Sequence, residues 1–150
     1  SDFGNKIKTT SDQGFIICSS IMDERNLQSA KIMKLDKGGN IVWDKIFLWN
    51  FEGTFINNVE EVSDGGFMVC GSDGYQQTKA IIAKLDASGE LVWKKDFYPT
   101  DLLDYRWFMN DLKQTSDKGL VLLMNKSYLY SGPEDQIGGW IMKCDEKGNF

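Results

Sequence analysis

The chain has 150 residues, 41% of them hydrophobic and 26% charged, with 15 Gly and only 2 Pro, a composition that buries a core without help from disulfides or metals. Its formal net charge is −5, with Lys and Arg scattered one or two at a time, so the basic stripe that neutralises phosphate backbones is missing and nucleic-acid binding is not expected. No apolar run approaches the roughly 20 residues of a membrane-spanning helix, and Ser1-Asp2-Phe3-Gly4 lacks the basic-then-apolar order of a signal peptide.

In chain order, the first elements are short runs at 7–10, 15–20, 30–35 and 41–47, rich in Ile, Val, Phe and Trp and bounded by turn residues. No window sustains the i, i+3, i+4, i+7 spacing of an amphipathic helix, so these runs are predicted strands. Between the first two lies Ser11-Asp12-Gln13-Gly14, and between the last two Leu35-Asp36-Lys37-Gly38. Both read as tight hairpin turns, because Asp bonds the backbone two residues on and Gly accepts positive φ. The first unit is therefore a predicted four-stranded meander.

The pattern then returns. Phe3-Gly4-Asn5 through Gly14-Phe15 recurs as Phe55-Ile56-Asn57 through Gly66-Phe67, and again as Phe108-Met109-Asn110 through Gly119-Leu120. Lys34-Leu35-Asp36 through Val42-Trp43 recurs as Lys84-Leu85-Asp86 through Val92-Trp93, and a third copy opens at Lys143-Cys144-Asp145. Self-similarity at about 52 residues marks a stacked or circular repeat protein. A single repeat domain over 1–150 is expected, with units at about 3–54, 55–107 and 108–150. Sheets of this kind form the blades of a β-propeller, which closes a ring of roughly 4–8. The third copy stops at Phe150, two positions before the counterpart of Trp43 and Trp93. The expectation is an all-β, propeller-like array of about three blades, the last incomplete: a segment of a longer array, or a homo-oligomer that completes the propeller with another copy.

Repetition also assigns roles. Asp12, Asp36, Asp64, Asp86, Asp117 and Asp145 each stand one to three residues before a turn Gly, so they are read as turn formers and not as metal ligands or acid–base groups. Trp43 and Trp93 are read as packing residues between neighbouring sheets. Lys34, Lys84 and Lys143 share one repeat position and are expected on a solvated strand face. Cys18, Cys70 and Cys144 lie within apolar runs and behave as small buried hydrophobes; an odd count without CxxC spacing argues against zinc or a disulfide framework.

In an up-and-down meander, successive connections alternate between the two sheet ends. The Ser-Asp-x-Gly and Leu-Asp-x-x-Gly turns therefore share one end and hardly vary. The opposite end gathers the differing segments 21–29, 73–79 and 127–138, with connectors 48–54 and 98–107. Loops on a rigid scaffold are where binding residues concentrate. This rim is acidic, counting Asp73 among its carboxylates, and aromatic, and Trp49, Phe51, Tyr75, Tyr98, Tyr105, Trp107, Tyr128 and Tyr130 are its candidate ligand-binding residues. A protein or glycan partner suits such a rim, while connector aromatics such as Trp49, Phe51 and Trp107 also fill space between blades.

The pattern Thr-Ser-Asp-x-Gly-Phe, then an apolar strand, then Lys-Leu-Asp-x-x-Gly-x-x-Val-Trp, resembles the tandem propeller-like repeats of secreted or surface-anchored bacterial proteins. That resemblance covers nearly the whole chain. It implies an extracellular or cell-envelope setting and brings no catalytic residues. The Asp-x-x-Gly-x-x-x-Trp spacing is more weakly similar to blades of quinoprotein dehydrogenases, which would imply a quinone and calcium, but no vicinal Cys pair or ligand cluster supplies such a site. The chain has no His, which removes His-based triads and His-ligated metals. The reading is a non-catalytic binding or scaffold module without cofactor or metal, with a lectin-like propeller as first alternative and a fragment of a quinoprotein-like enzyme as second.

Overall fold

A computed structural model describes residues 2–22, 27–49, 53–73, 79–97, 105–128 and 138–150. Side chains are described for these except at 2, 3, 105, 106, 127 and 128. The described residues form eleven strands and no helix. The first sheet contains β1 (Asp2–Thr9), β2 (Phe15–Met22), β3 (Gln28–Leu35) and β4 (Ile41–Phe47). The second contains β5 (Thr54–Glu61), β6 (Phe67–Asp73), β7 (Lys79–Leu85) and β8 (Leu91–Phe97), and the third β9 (Tyr105–Gln114), β10 (Leu120–Tyr128) and β11 (Gly138–Cys144). Every sheet is an antiparallel meander with its strands in sequence order, so the all-β, propeller-like expectation holds, with four, four and three strands.

The sheets stack in chain order. β5 packs against β1, β2 and β3, and β9 packs against β5, β6 and β7. The first strands, β1, β5 and β9, run side by side along one edge of the stack, whereas β4 and β8 have only exposed and half-buried residues. Two cores result. Ile16, Cys18, Ala30 and Ile32 of the first sheet meet Ile56, Val59, Phe67, Val69 and Ile81 of the second. Met68, Cys70, Ala80 and Ile82, on the opposite face of that second sheet, meet Met109, Leu112, Leu120, Leu122 and Met124 of the third. Since strand side chains alternate faces, a sheet covered on both sides buries both sets, and β6 is buried from end to end, apolar from Phe67 to Cys70 and polar only at Ser72 and Asp73. Each Ile, Leu or Met buried this way contributes about 1.5–3 kcal/mol.

One irregularity recurs in all three sheets. The register slips between Gly4 and Lys6, between Ile56 and Asn58, and opposite the Leu123/Met124 step, leaving Asn5, Asn57 and Asn110 as the extra residues of three β-bulges. A bulged residue is freed from strand pairing and aims sideways. Asn5 Nδ2 donates to the Ile56 carbonyl at 2.7 Å, and Asn57 Nδ2 donates to the Met109 carbonyl at 3.0 Å. Each bulge thus ties its sheet to the first strand of the next. Among the described residues, Asn110 has no such partner.

The tryptophans act between sheets. Trp43 lies edge-on to Phe67 at 5.7 Å and donates Nε1–H to the Ala87 carbonyl at 3.0 Å, spanning the first and second sheets. Trp93 packs against the second and third sheets' shared core and approaches Gly148. The solvated-face expectation for the lysines, by contrast, fits only Lys143. Lys34 pairs across from Ile16 and so shares the face turned to the second sheet, where it is buried. The strand ends there, and its ammonium reaches Asp12 at 2.8 Å. Lys84 repeats this half-buried pairing with Asp64. Lys143, on a face that no sheet covers, is exposed.

Candidate functional site

At one end of the stack, six aspartates organise six turns. Asp12 accepts hydrogen bonds from Gly14 N at 3.0 Å, from Thr10 Oγ1 at 2.5 Å and from Lys34 Nζ at 2.8 and 3.0 Å. Lys34 Nζ also donates to the Leu35 carbonyl at 2.9 Å, so this one ammonium bridges the Ser-Asp-x-Gly turn and the start of the Leu-Asp-x-x-Gly turn. The two turn types therefore lie together at one end. Asp64 accepts from Gly66 N and Lys84, and Asp117 from Gly119 N, Thr115 and Lys143. Asp36 and Asp145 accept from backbone and Asn side chains of their own turns, and Asp86 from the Ser88 hydroxyl and two backbone N–H groups.

These donors hold the turn carboxyls below the usual aspartate range: Lys34 first for Asp12, Lys143 first for Asp117, Lys84 for Asp64, and the Asn40, Ser88 and Asn149 groups for the rest. Carboxylates saturated by turn N–H groups and lysines have little left to offer a metal. Among the described residues, no group of three or more Asp, Glu, Cys or His stands ready to hold one. The cysteines are buried and free, and desolvation pushes Cys18 up to about 12 and raises Cys70 and Cys144. None is poised as a nucleophile.

Between the second and third sheets a groove of about 540 Å³ opens at this same end, lined by Met68, Lys84, Trp93, Gln114, Leu120 and Lys147 among others. The corresponding space between the first two sheets holds the Trp43–Phe67 contact. Leu120 occupies the repeat position of Phe67, and the smaller side chain leaves the groove beside Trp93. Repeat comparison of the sequence already contains this Phe-to-Leu difference, but an apolar-for-apolar change carries no signal until the neighbouring Trp is in place.

The opposite end is the variable rim, of which only the inner edge is described. Trp49 is half-buried, tilted against Phe47 at 5.1 Å, with Lys94 Nζ 5.9 Å from its ring centre. Its backbone N–H donates to Thr54 Oγ1 at 3.0 Å, and Thr54 donates to Asp73 at 2.8 Å. Asp73 is buried and paired with Lys94 at 3.2 Å, so this carboxylate is withdrawn from the acidic rim that the sequence suggested. Trp107 is buried and packs against Trp140 with ring centres 4.6 Å apart and planes tilted by 42°, and Lys126 lies over both rings at 5.3 and 5.8 Å. Trp140 is 44% exposed. Trp140 sits in a strand and not in a variable loop, so loop composition does not point to it.

Tyr105 and Tyr128 pair in register at the rim end of β9 and β10. Phe51, Tyr75, Tyr98 and Tyr130 lie outside the described residues. Of the eight rim aromatics, two have described side chains, and both pack on neighbours: Trp49 in the first core and Trp107 beneath Trp140.

Sheets that repeat, stack in chain order and are tied at one end by turn aspartates make this an all-β repeat protein of the propeller-like kind. No family model matches the chain, and no curated protein does. Among solved structures it is similar to a protein of unknown function from Bacteroides caccae, at 12% identity and a TM-score of 0.51, over 95% of this chain and 45% of that one. The likeness shows the fold alone. This chain spans less than half the length of that structure.

Proposed function

We propose that the chain is a non-catalytic binding or scaffold module, working in an extracellular or cell-envelope setting as part of a larger surface or secreted protein. The observation that carries this reading is the Trp107–Trp140 pair with Lys126 at the rim end of the third sheet. A half-exposed indole held by a buried one offers a flat apolar surface at low entropic cost. The turn end, with its carboxylates committed to backbone and lysine, supplies rigidity and little reactivity. A protein partner presenting an apolar patch fits this platform. A lectin-like use is the second reading, favoured by the exposed indole, since sugar rings stack on such faces.

The test places a photo-cross-linking amino acid at position 140 and, separately, measures retention on a glycan array before and after Trp140→Ala. A cross-linked protein competed away by the unlabelled module supports the first reading. Glycan retention lost in Trp140→Ala moves the assignment to a lectin. The absence of both signals overturns the platform reading.

A further inference from the structure

The groove at the turn end differs from its own repeat. Between the first and second sheets, the Phe67 ring lies edge-on to Trp43, with centres 5.7 Å apart. Between the second and third sheets the tryptophan is Trp93 and the residue at the position of Phe67 is Leu120, and about 540 Å³ opens between Val62, Met68, Trp93 and Leu120. Both walls come from adjacent sheets within the chain. An aromatic ring at this place would cover the same kind of apolar surface that Phe67 covers one interface earlier. The polar lip changes in the same comparison. Glu61, which accepts from Ser11 N and Oγ, gives way to Gln114, which accepts from Ser63 N at 2.8 Å. Gly65 gives way to Lys118, Ala87 to Glu146 and Ser88 to Lys147. Lys84 is committed to Asp64 at 2.6 Å, so the exposed Lys118 and Lys147 are opposed by one further carboxylate among the lining residues, that of Glu146.

We propose that this groove binds a small aryl carboxylate. Its ring takes the place beside Trp93 that Phe67 takes beside Trp43, against Met68 and Leu120, and its carboxylate lies at the lip with Lys118 and Lys147. An apolar floor with a few charged groups at one side is how small-ligand sites fix orientation. Charge decides the class: a neutral ring leaves the two ammoniums unused, and an aryl ammonium is repelled by them. Lys118 adds a second mark. It stands at φ +65°, a left-handed conformation that suits Gly65 of the preceding unit and strains lysine, so the lip carries a cation where the local backbone prefers glycine. The site is at the opposite end of the sheets from the Trp140 platform and does not rest on it.

The experiment titrates 3-phenylpropionate into the full chain and follows the Met68 methyl and the Trp93 indole N–H by nuclear magnetic resonance, with 3-phenylpropanamide as the neutral control. Two variants copy the preceding unit: Leu120→Phe supplies the ring from within, and Lys118→Gly removes one ammonium and relieves the backbone. The expected result is a saturable shift of both signals at millimolar ligand, with the amide weaker by about threefold or more. Leu120→Phe should abolish the shift and Lys118→Gly should weaken binding about threefold, while both variants melt at or above the parent temperature. Leu120→Met, a milder filling, serves if Leu120→Phe loses its fold by circular dichroism. No saturable shift in the parent overturns the proposal, as does a shift that persists unchanged when the groove is filled. An amide that binds as tightly as the carboxylate overturns the assignment of the ligand class.

Discussion

Asp12 shows how much one carboxylate does in this protein: it closes its own turn through Gly14 N, receives Thr10, and pairs with a buried lysine. Lys34→Met therefore removes the cation while leaving the turn, and Asp12→Ala removes both the turn acceptor and the partner of a buried ammonium. Asp12→Ala should be the more destabilising of the two by melting temperature, because an uncompensated buried charge costs more than a lost surface pair. All six turn aspartates have lowered folded values, against an ordinary aspartate value of 3.8. The unfolded chain then binds protons more readily than the folded one in acid. Their stabilisation is complete above the ordinary value and is lost as pH falls through the lowered folded values. A melting temperature that is flat above about pH 5 and falls progressively below 3.8 is expected; a rise on acidification would contradict the turn assignments. Glu60 belongs to the same set. Burial pushes it up, but hydrogen bonds from Lys113 and Lys8 outweigh this and leave it lowered. The cysteine thiols, raised by desolvation, should resist iodoacetamide in the folded protein and alkylate only on unfolding, as read by mass spectrometry.

At the scale of the element, the bulge and the hairpin set the spacing between sheets. Asn57→Ala removes the donor to the Met109 carbonyl and should cost about 0.5–1.5 kcal/mol in chemical denaturation. Asn110→Ala, at a bulge without such a bond among the described residues, should leave stability unchanged. That contrast separates a local bulge effect from an inter-sheet tie. Gly71 faces the bulge so closely that an added Cβ would stand 1.8 Å from the Phe55 carbonyl oxygen. Gly71→Ala must push β5 and β6 apart, and a loss of about 2–4 kcal/mol is expected from the forced backbone shift. Gly89 combines φ of +82° with a Trp43 ring 2.8 Å from the same kind of added atom, which is why this turn carries Gly where Trp43 crosses between sheets. The strands, their order and both turn types were readable from the sequence, since period-two apolar patterning and Asp-x-Gly chemistry are local. The bulges were not, because a single Asn in a strand looks the same whether it is paired or extruded.

For the whole molecule, stability rests on two cores that share the middle sheet, so the second sheet should be the last to open in hydrogen exchange, with the outer strand β4 exchanging early. With turn carboxylates engaged by backbone and lysine, chelators and added calcium should leave the melting temperature unchanged; a calcium-dependent rise would instead favour the quinoprotein-like alternative. The candidate platform at Trp140 was not legible beforehand, nor was the burial of Asp73, because both depend on which face of a strand meets another sheet. The groove beside Trp93 arose the same way, from Leu120 under a tryptophan contributed by the neighbouring unit.

By itself, the sequence determined the repeat, the four-stranded meander, the all-β class and the turn aspartates, because each follows from local backbone preference and from copies that can be compared. Only the tertiary structure decided which face of each sheet is inside. The repeat positions of Lys34 and Lys143 are the same, yet one is buried and the other exposed. The reason is physical: a strand's alternation offers two faces, and burial depends on whether another sheet stands next to it, a fact that lies in the stacking of units and in no single unit's residues.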